Sequence, residues 1–226
     1  MKADYLQNTS SRPKALCLVG GDGTGKTAHA KKIIVDLQNA GTKCSYVWFG
    51  QPYLLSYPFM FLCNKLGYTE NHVLPGKIVC QEHQYYRNKA LAFVWPWIQL
   101  LDLAVLVFTR VYLPVWRGIT VVCDRFIYDT LVELMADTND NKLYKKTVGK
   151  LILSLKPKFA LVIRLNVNAQ TAFDRKNDVP DVRFLRVRRN NYQIISSQLK
   201  LETVDAEQPF DAVHQKIMQN IGTVQL

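Results

Sequence analysis

The chain has 226 residues, 48% of them apolar, and a formal charge of +11. That length and apolar content suit one domain with a sizeable core. Five cysteines without a C-x-x-C pair argue against a zinc site or a disulfide framework, and a reducing cytosol is expected. The positive excess points to anionic partners: small phosphorylated ligands, nucleic acid or an anionic membrane face.

Residues 1–12 are polar, and no signal peptide is expected there. Ala15 to Val19 is a continuous apolar run ending in glycines, as a buried parallel strand would be. Lys26 to Asn39 has helical periodicity, with Gly41 as its stop, and Cys44 to Phe49 reads as a second strand. Gln51 to Gly76 is rich in Pro, Tyr and Phe and gives no clear pattern. Gln81 to Ala90 is expected to begin a helix, and Trp97 to Tyr112 to form a long apolar one. The apolar stretch from Ala90 to Phe108 is long enough to raise the question of a membrane, but Pro96, Gln99 and Asp102 interrupt it. A buried helix is the first expectation and a helix resting on a membrane surface the second. Ile119 to Cys123 predicts a strand ending at Asp124, Asp129 to Leu155 a mostly helical segment, and Phe159 to Val167 a further strand. A charged helix, a turn at Pro180-Asp181 and a basic helix fill Ala169 to Leu199. A short strand at Lys200 to Val204 and a helix at Pro209 to Ile221 follow. This alternation predicts an α/β fold: three layers, α/β/α, about a central parallel sheet of about five strands, forming a single domain.

Between the first strand and helix lies Gly20-Gly21-Asp22-Gly23-Thr24-Gly25-Lys26-Thr27, the G-x-x-x-x-G-K-[ST] pattern of a P-loop. Glycines there let successive backbone N–H groups converge on a phosphate, and the helix N-terminus adds partial positive charge. Lys26 supplies a full charge for the outer phosphates and Thr27 a hydroxyl for Mg²⁺. Chance would produce the pattern in roughly one chain of this length per hundred, and the strand before and helix after make chance rarer still. Residues 20–28, ending at Ala28, are therefore expected to bind ATP. A GTPase is not expected, because Asn64-Lys65-Leu66-Gly67 lacks the aspartate of a guanine-reading N-K-x-D.

The loop resembles the G-x-D-G-x-G-K-[ST] loop of thymidylate kinases, and further matches fall in the same chain order. Asp124-Arg125-Phe126 looks like that family's D-R-[YF] after a strand. Residues 165–175 resemble the approach to its lid, and Val204-Asp205-Ala206-Glu207-Gln208-Pro209 resembles its D-A-x-x-P segment near adenine. The resemblance implies ATP and Mg²⁺ as cofactors, with Thr27 and Asp124 on the metal and Asp205 and Ala206 near the base. It implies Asp22 on the acceptor's sugar, Arg125 on its phosphate, and a lid at about 173–186 whose Arg175 and Arg183 join Lys26 in catalysis. The family is commonly dimeric, so a homodimer is implied too; nucleic acid is not an expected partner.

Two features depart from the family. Phe49-Gly50-Gln51-Pro52 stands where an Arg-Glu-Pro segment is usual, and Asp102-Leu103 where an Asp-Arg pair helps recognise thymine. Trp95, Gln99 and Tyr128 are the residues here expected to meet the acceptor. Three hypotheses result. One is transfer of the γ-phosphoryl of ATP to a nucleoside monophosphate, dTMP first. Another is a related kinase acting on a nucleoside or a lipid-linked acceptor, with residues 54–116 as the apolar binding face at a membrane surface. The last is a non-catalytic ATP-binding module docking on membrane or nucleic acid. The expected location is the cytoplasm, with a peripheral membrane association left open.

Overall fold

A computed structural model describes residues 13–50, 54–74, 78–176 and 179–223. The polar lead-in at 1–12, and Gln51 and Pro52 of the variant segment, lie outside these residues. Five strands form one parallel sheet: β1 (Ala15–Val19), β2 (Cys44–Trp48), β5 (Thr120–Asp124), β6 (Ala160–Asn166) and β7 (Glu202–Asp205), in the spatial order β2-β5-β1-β6-β7. β1 lies at the centre and is buried on both sides, which is why its sequence is apolar without alternation. Ala15, Cys17 and Val19 point into one core, and Leu16 and Leu18 into another.

Helices cover both faces. On one side lie α1 (Lys26–Asn39) and α9 (Phe210–Thr223), whose Ile33, Leu37, Val213 and Ile217 pack on Leu16 and Leu18. The other side carries α3 (Lys89–Val107), α5 (Ile127–Asp137), α6 (Thr147–Ser154) and α8 (Val182–Leu199). The expected α/β architecture about a five-stranded parallel sheet is what forms. The helical stretch expected from Asp129 to Leu155 is divided between α5 and α6.

Residues 54–116 hold the main departure. After α2 (Ser56–Lys65), strands β3 (Thr69–Leu74) and β4 (Ile78–His83) pair antiparallel as a hairpin, apart from the main sheet. The helix expected to begin near Gln81 is therefore a strand there. A single turn at Tyr85–Arg87 follows, and α3 starts only at Lys89, where the Asn88 side chain accepts hydrogen bonds from the N–H groups of Ala90 (2.9 Å) and Leu91 (3.4 Å). α3 then runs through a widened π turn at Phe108–Tyr112 into α4 (Leu113–Trp116). The widened turn precedes Pro114, whose ring would otherwise press on the carbonyl of Arg110. Asp102, midway along α3, accepts hydrogen bonds from Leu55 N (3.0 Å), Ser56 N (2.8 Å) and Ser56 Oγ (2.5 Å), so it caps the start of α2.

Candidate functional site

The carboxyl ends of β1 and β5 lie side by side, so the loop after one and the residues after the other meet. Residues 20–25 connect β1 to α1. Gly20 (φ 149°) and Gly23 (φ 77°) adopt backbone conformations that disfavour any side chain. A Cβ on Gly20 would also strike the Leu165 carbonyl oxygen, and one on Gly23 the backbone of Ala172 in α7 (Ala169–Asp174). The loop thus packs too closely for any residue but glycine at these two points.

Lys26 is buried and donates hydrogen bonds to the carbonyls of Gly20 and Gly21, both at 2.6 Å. Burial, reinforced by the nearby Arg125, brings its ammonium down to about 8, although Asp129, Asp22 and Asp124 oppose the shift. Thr27 Oγ1 donates to Asp124 Oδ2 at 2.5 Å, and the Tyr46 hydroxyl donates to the same oxygen at 2.7 Å. The other oxygen, Asp124 Oδ1, is buried and has no hydrogen-bond partner among the described residues. An unpartnered buried carboxylate oxygen beside a threonine hydroxyl is a hard donor set of the kind Mg²⁺ takes. The donor set at Thr27 and Asp124 therefore fits a hard divalent cation such as Mg²⁺.

Arg125 follows directly, at φ 68°, a left-handed conformation costing an arginine about 1 kcal/mol. Its N–H donates to Leu18 O at 2.9 Å, which pins the residue to the neighbouring strand. Its guanidinium bonds the Asp22 carboxylate and lies 3.9 Å from Asp129 Oδ1. Lys176 Nζ is 3.7 Å from the same Asp22 oxygen. Burial would raise the Asp22 carboxyl, but Arg125, Lys26 and Lys176 outweigh it and hold it well below the usual carboxylate range. Asp129 is buried and is raised, burial outweighing Lys26 and Arg125. It accepts from Phe126 N (2.8 Å) and Gly20 N (3.4 Å), linking α5 to the loop.

A cleft of about 660 Å³ opens from this cluster, between α5 and α8 on one side and α2, β4 and α3 on the other. Arg125 and Asp129 stand at its inner end, and Trp95, Gln99, His83, Glu133, Asp137 and Arg188 line the remainder. Arg188 pairs with Glu133 (Nη2 to Oε2, 2.7 Å) and lies over the Phe184 ring at 3.3 Å. Trp95 is a wall of the cleft: its indole N–H donates to Asp137 Oδ2 at 2.9 Å and one face stacks on Phe59. Burial and the like charge of Glu133 push Asp137 up to about 8, and burial with Arg188 nearby takes His83 down to about 4. At neutral pH the outer half of the cleft thus carries the Glu133–Arg188 ion pair together with uncharged hydrogen-bonding groups, Asp137, His83 and Gln99, beside the aromatic Trp95.

Of the expected site residues, Asp22, Lys26, Thr27, Asp124 and Arg125 converge, while Trp95 and Gln99 line the cleft. Tyr128 packs in the core instead. Arg175 donates from Nη1 to the Ala206 carbonyl at 2.9 Å, bringing the start of the expected lid onto the 204–209 segment. Arg183 stands exposed and pairs with Asp181. Residues 177–178 of the expected lid lie outside the described residues. Asp129, Glu133, Asp137, Arg188 and Tyr46 were not singled out from the sequence. The first three recur every fourth residue after Arg125, a spacing that puts them on one face of α5.

A scan against protein-family models and a search of curated proteins found no match to this chain.

Proposed function

We propose that the protein is an ATP-dependent P-loop kinase with the thymidylate kinase-like reaction, transfer of the γ-phosphoryl group to a nucleoside monophosphate, dTMP first. The observation that carries this reading is the pairing of Thr27 with Asp124, whose second oxygen is buried and unpartnered, at the root of a glycine-rich loop. In this reading the loop's N–H groups and the N-terminus of α1 hold the phosphates. Lys26 leaves the carbonyls of Gly20 and Gly21 for the outer phosphates, and Thr27 and Asp124 hold Mg²⁺, which neutralises charge on the phosphate oxygens when bound. Arg125 orients the acceptor's phosphate in line, and Arg175, Lys176 and Arg183 belong to a lid that excludes water.

The nature of the cleft supports a nucleotide acceptor. A guanidinium at its inner end suits a phosphate, and the uncharged Asp137, His83 and Gln99 beside Trp95 farther out, with Arg188 already paired to Glu133, suit a planar base. One observation favours a lipid-linked phosphate as a second reading: the rim residues Tyr57, Phe61 and Val79 are apolar and more than half exposed.

The test is ADP release from Mg-ATP with a panel of nucleoside monophosphates, nucleosides, prenyl alcohols and prenyl phosphates. Turnover with dTMP is expected. Turnover confined to prenyl substrates would select the second reading, and no turnover with any acceptor, together with no heat on titrating Mg-ATP into folded protein, would end the kinase reading.

A further inference from the structure

The continuous helix from Lys89 to Trp116 has a mean hydropathy of 1.9 over its most apolar stretch, of which 33% is buried. Phe93, Leu101, Val105, Phe108 and Trp116 are each about half exposed or more, at intervals of three, four or eight residues that align them on one stripe. Phe108 and Trp116 meet edge to face at 5.7 Å, which keeps the stripe continuous past the π turn. An apolar strip of this length on a surface marks a place where something binds.

The charges around the strip identify the partner. Arg87 and Lys89 are exposed at one end, and Arg110 and Arg117 at the other. Between residues 84 and 119 the only carboxylate is Asp102, which is buried and bonded to the start of α2. A second copy related by a twofold axis would present the same patch, cations and no carboxylate, against this one. Spanning a bilayer would require pulling Asp102 from its partners into hydrocarbon. An anionic lipid surface meets both features at once: acyl chains for the stripe and headgroups for the cations.

We propose that the α3–α4 helix lies in the plane of an anionic membrane surface, its apolar stripe in the headgroup boundary and its terminal cations on lipid phosphates. This surface is separate from the cleft and does not depend on the kinase reading.

The experiment is co-sedimentation of the full chain with vesicles of phosphatidylcholine alone or with about one-third phosphatidylglycerol. Binding to the anionic vesicles, weakened by salt, is expected. Leu101→Glu/Val105→Glu should lose at least about tenfold in partitioning, and Arg110→Glu/Arg117→Glu about fivefold or more per charge. Circular dichroism and melting of each variant establish that it is folded. Wild-type protein that is folded but sediments with neither vesicle overturns the proposal, as does equal binding to both that ignores the charge reversals. A dimer by light scattering, dissociated by Leu101→Glu/Val105→Glu and accompanied by no vesicle binding, also overturns it and assigns the stripe to self-association.

Discussion

Asp22 in the glycine-rich loop and Arg125 just beyond β5 form an ion pair that joins segments 103 residues apart in the chain. Each is a group the proposed reaction needs elsewhere, Asp22 on the acceptor's sugar and Arg125 on its phosphate. Binding an acceptor therefore exchanges or widens an existing contact and does not fill an open one.

Replacing Arg125 separates its two roles. Arg125→Ala should raise the acceptor's KM or lower kcat while calorimetric ATP affinity changes little; loss of ATP affinity would show that the residue serves the donor. Because φ is 68° at this position, Arg125→Gly should be about 1 kcal/mol more stable than Arg125→Ala by denaturant unfolding. Equal stabilities would contradict the left-handed backbone.

Lys26→Ala should lower phosphoryl transfer by about a hundredfold or more with the fold retained. The wild-type lysine also predicts a pH profile. Between about 8 and the ordinary value of 10.5, the unfolded chain holds a proton that the folded one has released, so this group's contribution to stability rises with pH across that window. Activity runs the other way. The charged form is the one required, so kcat/KM for ATP should fall as pH passes through about 8. Lys26→Arg, charged throughout, should lack that limb.

Asp124→Asn keeps the size of the side chain and removes its negative charge. The concentration of Mg²⁺ required for half-maximal ADP release should rise by about tenfold or more, and Tyr46→Phe should cost less because it removes only one hydrogen bond to Oδ2. An unchanged Mg²⁺ requirement in Asp124→Asn would remove Asp124 from the metal site.

Asp137 gives a separate test in stability alone. Its folded value of about 8 lies above the ordinary 3.8, so its contribution is full below about 4 and is lost as pH rises through about 8. Unfolding measured between pH 6 and 9 should show falling stability in the wild type and a flatter profile in Asp137→Asn, which retains an acceptor for the Trp95 N–H. Parallel profiles would mean that Asp137 is ionised throughout.

The sheet and the loop were legible because each rests on local chemistry: an apolar run at Ala15 to Val19, glycines, then an amphipathic helix. The β3–β4 hairpin was not. Its strands alternate weakly, and its register rests on polar contacts such as Gln81 Nε2 to Asn71 Oδ1 at 3.0 Å, which no hydrophobic period announces. The helix expected near Gln81 failed for that reason. In the site, Asp124 and Arg125 could be found as a motif, whereas Tyr46 reaches Asp124 only because β2 and β5 are neighbours. The Asp129, Glu133 and Asp137 stripe carried a readable spacing. Yet four-residue spacing of acids ordinarily marks a solvated helix face, and only packing against α8 and the cleft turns this one inward.

The cap that Asp102 places on α2 ties a cleft wall to the long apolar helix through a few short bonds. Whatever leans on that helix from outside, lipid or another macromolecule, pushes on the anchorage of Tyr57 and Phe61 as well. A load on the outer face of the molecule is thus passed to the cleft wall through one carboxylate, alongside the stacking of Phe59 on Trp95.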